Sequence, residues 1–463
     1  MRLSGVLLLL GTAALLVSRD PRADPRLAGS ARSEKGGWIQ VRLEGPPAQL
    51  GFQHGYLLAP EIRDGQRLIA FLLERDTKRG WKFFHNAARE VLWPKIPDEY
   101  RQELGGISKG LAARGVKLDA LDLAAMNAWQ ELSPAWLTWY EAQRGRAIKL
   151  AVPEHCSAFV ATGSYTKDGR PVMGHNAWTS YAEGSRWNIV FDLRPSAGHR
   201  VLMDGFPGVI HSGDDFGVNS AGIMTTETTI SQFKGFDPTG VPEFVRARKA
   251  MQYASSIDDF ARIMREGNTG GYANNWLVAD RNTGEIASLE LGVKYTPLLR
   301  TKDGYFAGSN LPTDAKLARE ETTFPVHDLS LSATARHLRW EQLMAENKGK
   351  IDVAAGQRFL SDHYDTFERK TQPNERTICG HIDLSPRGVK PWQGEFAPAG
   401  AVQAKVTDAE MAGRMAFTAS MGHSCGLDFK AAEHLKAHPE YVWQKDFLRD
   451  LNSHPWSEFQ AVK

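Results

Sequence analysis

The sequence predicts a single α+β domain with helices packed outside antiparallel sheets. From about Gly37 to Leu150, apolar residues recur at helical spacing, whereas after Cys156 they alternate in short runs between turn signals. The 463 residues contain neither a low-complexity linker nor an internal repeat between the two parts. We therefore expect both parts to share one core.

Composition excludes several classes of protein. With 42% hydrophobic and 24% charged residues, the chain has ordinary globular composition. The formal net charge is only +2, and Lys and Arg are scattered, so the basic stripe of a nucleic-acid-binding protein is absent from the sequence. Beyond the N-terminus, no apolar run is long enough to cross a bilayer, so we expect a mature protein without a transmembrane helix.

The N-terminus resembles an export signal. Arg2 gives a positive start, and residues 6–17 form an apolar run too short to span a bilayer comfortably. Three alanines near residue 30 do not form a clean cleavage site, so residues 1–30 are either a signal peptide or an uncleaved anchor. We predict an exported protein, periplasmic or secreted, in a compartment where disulfides persist.

Residues 31–155 are expected to form a helical N-terminal segment. Ile62 begins the apolar face of the first amphipathic run, which continues through Leu68, Ile69, Leu72 and Leu73. Two further amphipathic runs follow, DEYRQELGGISKGLAARG and DALDLAAMNAWQEL.

The segment after Cys156 is expected to begin with consecutive antiparallel hairpins. The candidate strands are SAFVATG, VMGHNAW, WNIVFDL, HRVLMDG, VIHSG, DDFGVNS and GIMTTETTI. Two helices follow in residues 241–267, the second with Ser256 and Asp259 spaced as a capping box, and then a hairpin of NNWLVAD and EIASLELG. Later helices are predicted at SATARHLRWEQLMAENKG and AAGQRFLSDHY.

Three cysteines in a chain of this length cannot build a disulfide scaffold, and an odd number leaves at least one thiol unpaired. We expect Cys379 and Cys425 to form the pair. These cysteines and the neighbouring His381 and His423 could instead bind zinc. Their one-residue spacing is not that of common zinc motifs, and export favours the disulfide, so we predict no metal.

Cys156 then remains as a free thiol where a strand begins. If the bond between His155 and Cys156 is cut, the new α-amine, with a reference pKa of about 7.7 to 8.0, can accept the thiol proton. The position therefore suits an N-terminal nucleophile. The alternative is a small buried hydrophobic side chain without a chemical role.

Four segments in this order, CSAFVATG, GHNAWTSY, FPGVIHSGDDFGVNSAGIMTTETTI and NTGGYANNWLVAD, resemble the phospholipase B-like (lamina ancestor) family. Its members are cysteine N-terminal nucleophile hydrolases, related to the penicillin acyltransferase-like group, which GFQHGYLLAPEIR and NERTICGHID resemble more closely. The resemblance implies a four-layer αββα sandwich. It also implies that residues 156–463 become a catalytic chain held to residues 31–155 by packing.

The resemblance makes Cys156 the nucleophile released by autoproteolysis. His175 and Trp178 match a His-x-x-Trp that lines the site, and Thr228 matches a threonine near the nucleophile. Asn274 matches an asparagine that stabilises the oxyanion. The family pattern is close to YNNQW, whereas this chain has YANNW, so Asn275 is the alternative, and strand alternation lets only one of the two face the site.

Each of these residues also has a structural interpretation. The Asn pair could form a turn, His175 could satisfy a backbone carbonyl, and Trp178 is expected to be a pocket wall. The pair at residues 214 and 215 could act as acid or base or could belong to a turn. Arg376 could lower the pKa of the thiol and bind a substrate carboxylate or phosphate, or could form an ion pair with Glu375 or Asp383.

The sequence thus predicts an exported, self-cleaving hydrolase of acyl amide or acyl ester bonds, with phospholipid acyl esters among the candidate substrates. A second interpretation is an N-acyl amide hydrolase or acyltransferase of the penicillin acyltransferase type. A third is a secreted binding protein that retains the fold without activity. None of the three requires a cofactor, and the expected partners are a small-molecule or lipid acyl substrate and the two chains of one precursor.

Overall fold

The computed structural model of the chain describes residues 24–148, 150, 156–214 and 216–462. Over these residues the strands form a nine-stranded sheet, a six-stranded sheet and a two-stranded ribbon. The helices are α1 Pro47–Leu57, α2 Ala59–Thr77, α3 Trp81–Ala87, α4 Asp98–Ala113, α5 Ala120–Asn127, α6 Trp129–Glu131, α7 Leu137–Ala142, α8 Tyr181–Gly184, α9 Glu243–Tyr253, α10 Ile257–Arg265, α11 Ala315–Glu321, α12 Ser332–Glu346, α13 Val353–Leu360, α14 Ala409–Gly413 and α15 Ala431–Ala437.

The nine-stranded sheet has the order β1-β2-β5-β6-β7-β8-β9-β10-β11, and the six-stranded sheet has the order β12-β3-β4-β15-β16-β17. The strands are β1 Ala31–Lys35, β2 Trp38–Gly45, β3 Ser157–Thr162, β4 Val172–Ser180, β5 Ile189–Pro195, β6 Val201–Gly205, β7 Gly217–Asn219, β8 Ile223–Thr229, β9 Asn274–Asp280, β10 Glu285–Glu290, β11 Leu298–Thr301, β12 Gly304–Gly308, β13 Tyr364–Asp365, β14 Lys370–Thr371, β15 Ala399–Asp408, β16 Ala416–Met421 and β17 Ser457–Gln460.

The two large sheets pack face to face, and alternate residues of each strand fill the space between them. On β3, Ala158 and Val160 lie in this inner core together with Leu277 of β9. Phe159 of β3 points the other way and packs on Trp340 of α12. The same strand thus serves two layers, which requires a nearly continuous run of buried residues.

Helices cover the outer faces of both sheets. The outer face of the nine-stranded sheet packs against the N-terminal helices α1 to α7 through side chains such as Phe191, Leu104 and Leu123. Helices α9 and α10 cover the β9–β10 part of the same face, while α12 and α13 cover the six-stranded sheet. The predicted α+β sandwich with four αββα layers is confirmed.

The sequence pattern predicted a helical N-terminal segment over residues 31–155, but this segment also contains two strands. Ala31–Lys35 and Trp38–Gly45 form strands, and β2 pairs in parallel with β5 across a long separation in the chain. Alternation within VRLEG was too short a signal beside the strong helical runs that follow. Because these strands belong to the nine-stranded sheet, the segment before Cys156 is part of the same domain as the segment after it.

Most other predicted elements are confirmed. The two-piece helix ends and restarts at Ser256, whose hydroxyl accepts from the Asp259 backbone N–H at 3.1 Å as an N-cap. The predicted strand at residues 209–213 is wrong, because this segment is a bend between β6 and β7. Among the residues that the structure describes, we find no helix both long and apolar enough to span a bilayer.

Candidate functional site

Cys156 immediately precedes β3 and is only 1% exposed. Its thiol is free, and its backbone φ is +90°, in the region that residues other than glycine rarely adopt. Such a conformation costs about 1 to 3 kcal/mol and persists only where the surrounding structure imposes it. His155 and the bond before Cys156 lie outside the described residues.

The surroundings of Cys156 keep its thiol protonated. Burial raises the pKa of the thiol well above its usual value, and the negative charges of Glu227 and Asp214 raise the pKa further. A hydrogen bond from the Trp178 backbone and the positive charge of Lys405 act in the opposite direction with less effect. Among the described residues, therefore, no group turns this thiol into a thiolate.

Arg336 of α12 holds the backbone of Cys156 in place. It is fully buried and donates from Nη1 to the Cys156 carbonyl oxygen at 2.6 Å. Its Nη2 donates to Asn310 Oδ1 at 2.9 Å, and Asn310 donates in turn to the carbonyl of Thr229 at 2.8 Å. This chain of bonds ties the start of β3 to the end of β8 in the other sheet. Neither Arg336 nor Asn310 was found from the sequence, because no motif links residues so far from Cys156.

His175 lies on β4 with its side chain between the sheets. Its ring stacks on Phe216 with 6.4 Å between centroids, and Lys405 is its cross-strand neighbour on β15. Burial, followed by the charge of Lys405, lowers the pKa of His175 well below its usual range. The ring is therefore neutral, and it shares the inter-sheet space with Lys405 and Asp214, two of the charged groups that act on the Cys156 thiol.

Trp178, also on β4, points to the opposite side of the six-stranded sheet. Its indole Nε1 donates to the carbonyl of Ile378 at 3.3 Å, and the guanidinium of Arg336 lies 4.3 Å from its ring centroid. A Cβ on Gly380 would overlap the indole ring, so the loop around Gly380 passes directly over it. Trp178 therefore lies on the outer face of the sheet, against the Gly380 loop and Arg336, and its role as a pocket wall stays a prediction.

Thr228 and Asn275 face the six-stranded sheet. The two residues are paired in register on β8 and β9, and Asn275 shares its face with Leu277 of the inner core. Thr228 packs on Gly308, where a Cβ would overlap the threonine hydroxyl. Because Gly308 pairs with Ala158, Thr228 lies next to the beginning of β3, near the nucleophile position.

Asn274 and Asn275 point in opposite directions, as strand alternation requires. Asn275 Oδ1 accepts from Ser288 Oγ at 2.7 Å on the inner face. Asn274 Nδ2 donates to Glu227 Oε2 at 3.1 Å. The amide of Asn274 is thus directed at the carboxylate whose charge also raises the pKa of Cys156, a carboxylate that the sequence motifs did not indicate.

Asp214 is buried between the sheets and does not lie in a surface turn. Asp214 and Asp204 share the buried ammonium of Lys405 at 2.7 and 2.9 Å. Burial, followed by the neighbouring Asp204, raises the pKa of Asp214 well above its usual range, and the Lys405 ammonium acts in the opposite direction. Asp215 lies outside the described residues. The group is a compact charge network between the sheets, within electrostatic range of Cys156.

A large cleft opens beside these residues. Its volume is about 1190 Å³, and its wall includes both Leu150, shortly before the nucleophile, and Tyr272, shortly before Asn274. Tyr272 connects the cleft to the site, since its hydroxyl hydrogen-bonds with Thr229 Oγ1 at 2.8 Å and donates to Glu227 at 3.4 Å. Aromatic side chains line much of the remainder, namely Trp129, Trp139, Phe233, Phe236, Trp392, Tyr441 and Trp443.

Arg376 belongs to a structural ion-pair network. It is buried and donates to Asp365 Oδ2 at 2.7 Å and to Glu368 at 3.2 Å, with Glu375 also at 3.2 Å. The ion pair with Glu375 was one predicted alternative, whereas Asp383 instead accepts from the hydroxyl of Tyr181. Since its charge is already matched by three carboxylates, Arg376 is not available to a substrate anion.

The predicted disulfide is not present, because Cys379 and Cys425 are both free thiols. They lie in a cluster with His363 and His381, in which one ligand atom from each residue lies within 4.8 Å of all the others. His423, which the sequence offered as a possible fourth zinc ligand, is engaged elsewhere, with Tyr181 at 3.0 Å and the carbonyl of Leu427 at 2.7 Å. His363 takes its place from a distant loop.

Comparisons with known proteins identify one family. The family model for phospholipase B matches residues 63–292, which include Cys156, His175, Thr228 and both asparagines. The chain belongs to the phospholipase B-like family.

Three relatives illustrate the similarity. A putative phospholipase B-like 1 of Caenorhabditis elegans is 26% identical over 65% of this chain and 57% of its own length. A putative phospholipase B-like 2 of Mus musculus is 27% identical over 54% of this chain and 50% of its own length. Phospholipase B-like 1 of Homo sapiens is 25% identical over 56% of this chain and 50% of its own length. The chain therefore spans about half the length of the curated relatives it matches.

Proposed function

We propose that this protein is a self-cleaving hydrolase of acyl amide or acyl ester bonds, with Cys156 as its N-terminal nucleophile. The observation that carries the proposal is the free Cys156 thiol, buried at the start of a strand on a backbone with φ +90°. Backbone outliers of this kind are concentrated at functional sites, where the surrounding structure imposes them. Membership of the phospholipase B-like family supports a hydrolase.

Self-cleavage explains why the uncut chain keeps the thiol inactive. The Cys156 sulfur attacks the carbonyl carbon of residue 155, the peptide C–N bond breaks, and the departing nitrogen takes the proton to become an amine. Water then hydrolyses the thioester, which yields a new carboxylate and regenerates the thiol. The strained backbone raises the energy of the starting peptide, and the bond from Arg336 holds the Cys156 carbonyl fixed during the attack.

After cleavage, the free α-amine of Cys156 supplies the base that the described side chains do not. With a reference pKa of about 7.7 to 8.0, it is partly neutral near pH 7.5 and accepts the thiol proton. The thiolate attacks the acyl carbonyl of a substrate, the leaving amine or alcohol takes the proton, and water resolves the acyl-enzyme. An acyltransferase would use an amine in place of this water.

The aromatic cleft supports an acyl substrate with a long apolar part. A volume of about 1190 Å³ exceeds the several hundred cubic ångströms of ordinary small-molecule sites, and apolar walls favour an acyl chain. Leu150, which precedes the proposed cleavage point by a few residues, lines this cleft. We therefore propose phospholipid acyl esters as the first substrates to test and N-acyl amides as the second.

The experiment is the intact mass of the purified protein, compared with Cys156→Ala and Cys156→Ser. We expect two fragments from the wild type, the larger beginning at Cys156, and a single chain from Cys156→Ala. Cys156→Ser retains a weaker nucleophile and should cleave more slowly. Arg358→Met, at an exposed position of α13, is the control and should cleave like the wild type.

A single uncut chain in every variant would overturn the N-terminal nucleophile proposal and would favour a binding protein that keeps the fold. Where cleavage occurs, hydrolysis of a lysophospholipid and of an N-acyl amide of the same chain length is then measured with the cut wild type. Turnover of the amide alone would favour the N-acyl amide hydrolase or acyltransferase interpretation.

Asn274 is proposed as the donor to the oxyanion, and Asn275 as a positioning residue. The Asn274 amide is directed at Glu227, whereas Asn275 binds Ser288 on the other face. Removal of one oxyanion donor typically lowers kcat by about 100- to 1,000-fold. We expect this loss in Asn274→Ala and a loss of less than about tenfold in Asn275→Ala. A larger effect of Asn275→Ala on kcat would exchange the two roles.

Export is also proposed, with a periplasmic or secreted mature protein. The support is the charged and apolar start of the sequence, residues 1–30. Fractionation of expressing cells tests it, together with the N-terminal sequence of the smaller fragment. Recovery of the protein in the cytosol with Met1 retained would overturn the proposal.

A further inference from the structure

We propose that His363, Cys379, His381 and Cys425 form a structural zinc site, which we call the Cys/His cluster. Its four residues come from three separate loops: one after α13, one after β14 and one after β16. Their ligand atoms all lie within 4.8 Å of one another. Two thiols and two imidazoles are the ligand set that selects zinc over the hard divalent cations.

The distances fit tetrahedral coordination. Zn–S bonds of about 2.3 Å and Zn–N bonds of about 2.0 to 2.1 Å place S and N ligands about 3.6 Å apart around a tetrahedron. In the Cys/His cluster, His381 Nε2 lies 3.6 Å from Cys379 Sγ and 3.5 Å from Cys425 Sγ. The sulfurs and the imidazole thus already have the separations that a shared zinc ion would impose.

The second ring nitrogen of His381 also has the environment of a zinc ligand. Its Nδ1 faces Asp383 Oδ1 at 3.8 Å, on the side away from the two sulfurs. Asp383 is itself held by the hydroxyl of Tyr181 at 2.6 Å, and Tyr181 contacts His423 Nε2 at 3.0 Å. Histidine ligands usually have a carboxylate or carbonyl behind them, which orients the ring and raises its basicity.

The loops of the cluster are preorganised by hydrogen bonds to backbone carbonyls of neighbouring segments. The Cys379 N–H donates to the carbonyl of Asp362 at 3.1 Å, which joins two of the three loops. Ser424, beside Cys425, donates from Oγ to the carbonyl of Leu360 at 2.7 Å. The ligands therefore meet without reorganisation of the chain, which lowers the entropic cost of binding the ion.

A disulfide between Cys379 and Cys425 is the competing explanation. It would satisfy the two sulfurs but would leave no role for the two imidazoles that converge on the same point, one of which contacts both sulfurs. A zinc ion uses all four side chains. With four protein ligands, the site has no open position for a substrate, so we assign it a structural role.

The location indicates what the ion would stabilise. Gly380 lies between two of the ligands and packs directly on the Trp178 ring, whose centroid is 4.3 Å from the Arg336 guanidinium. Arg336 in turn binds the carbonyl of Cys156. Zinc would thus fix the loop that backs the strand next to the nucleophile, which couples metal content to the stability of the site.

The test is metal analysis of the untagged full-length protein, purified without chelators, by mass spectrometry of zinc, iron, nickel, copper and manganese. We expect about one zinc per chain and little of the other metals. Cys425→Ser and His363→Gln should each lose most of the zinc. Cys156→Ser and His337→Gln are the matched controls, one for each ligand type, and should retain it.

A second measurement does not depend on whether the variants fold. Chelator-treated wild type is titrated with CoCl₂, and a tetrahedral thiolate site gives intense d–d bands and sulfur-to-cobalt charge transfer that ZnCl₂ abolishes. Non-reducing peptide mapping is carried out on the same sample. Substoichiometric zinc with Cys379 and Cys425 linked in one peptide pair would overturn the proposal, as would an octahedral cobalt spectrum.

Discussion

The molecule contains two kinds of thiol environment that differ in almost every respect. Cys156 is fully buried beside carboxylates, and its pKa is raised by burial first and by Glu227 next. Cys425 is partly exposed, and its pKa is lowered to about 2, chiefly by the hydrogen bond from Cys379, with His363 and His381 adding to the effect. The same residue type is thus kept inactive in one place and ionised in the other.

The difference shows that the neighbours of a cysteine determine its chemistry more than the residue itself. A thiol surrounded by carboxylates and apolar groups stays protonated until something changes its surroundings, as self-cleavage would. A thiol that faces imidazoles and a second thiol is ready to bind a metal or to oxidise. The proposed nucleophile and the proposed zinc site follow from this contrast.

The largest expected effect concerns thiol reactivity. When chelator-treated, reduced protein is exposed to iodoacetamide at pH 7, the uncut chain should be labelled at Cys425 at least about 100-fold faster than at Cys156. The reason is the combination of exposure and a lowered pKa at one site and of burial and a raised pKa at the other. Labelling of Cys156 in the uncut chain should increase only at a pH well above the ordinary pKa of a cysteine thiol.

Peptide mapping of uncut and cut chains from one sample provides the measurement and its control. The fragment that starts at Cys156 should be labelled at its new N-terminus, because cleavage frees both the thiol and its base. Equal labelling of Cys156 and Cys425 in the uncut chain would contradict the proposed difference between their environments.

A smaller effect, on stability and on the rate of cleavage, is expected when Arg336 is replaced. Arg336 binds the Cys156 carbonyl and contacts Trp178, on which the loop of the Cys/His cluster packs. Arg336→Met leaves the Cys156 carbonyl and the Asn310 side chain without their guanidinium partner. Because each unsatisfied buried group costs about 1 to 3 kcal/mol, the free energy of unfolding should fall by about 2 to 5 kcal/mol, and cleavage should slow. Denaturant unfolding and the rate of fragment formation are measured together.

Arg336→Lys and Arg358→Met sharpen this result. Lysine keeps the charge but cannot reach two acceptors with one planar group. The stability and the cleavage rate of Arg336→Lys should therefore lie between those of Arg336→Met and the wild type. Arg358 is exposed on α13, and its replacement should change stability by less than about 0.5 kcal/mol. Unchanged cleavage in Arg336→Met would show that the bond to Cys156 is structural only.

Much of the fold could be predicted from the sequence because its signals are local. Helices α2, α4 and α12 and strands β3, β4, β8 and β9 follow from periodicity, which depends on residues adjacent along the chain. Strands β1 and β2 were missed, since their placement depends on pairing with β5, far away in sequence.

The candidate site was predictable only where a motif carries it. Cys156, His175, Thr228 and the asparagine pair lie in segments that resemble the family, and alternation correctly required the two asparagines to diverge. Glu227, Arg336 and Lys405 act on Cys156 through contacts across sheets and layers. No spacing rule in the sequence connects them.

The sequence by itself determined the α+β class, the strand that follows Cys156, and the odd number of cysteines that leaves one thiol unpaired. These properties depend on local periodicity and on counting. Only the tertiary structure shows that Cys379 and Cys425 lie in one cluster with His363 and His381, and that Cys156 is buried near carboxylates. The physical reason is that burial, charge and ligand geometry arise from residues that folding brings together from distant parts of the chain.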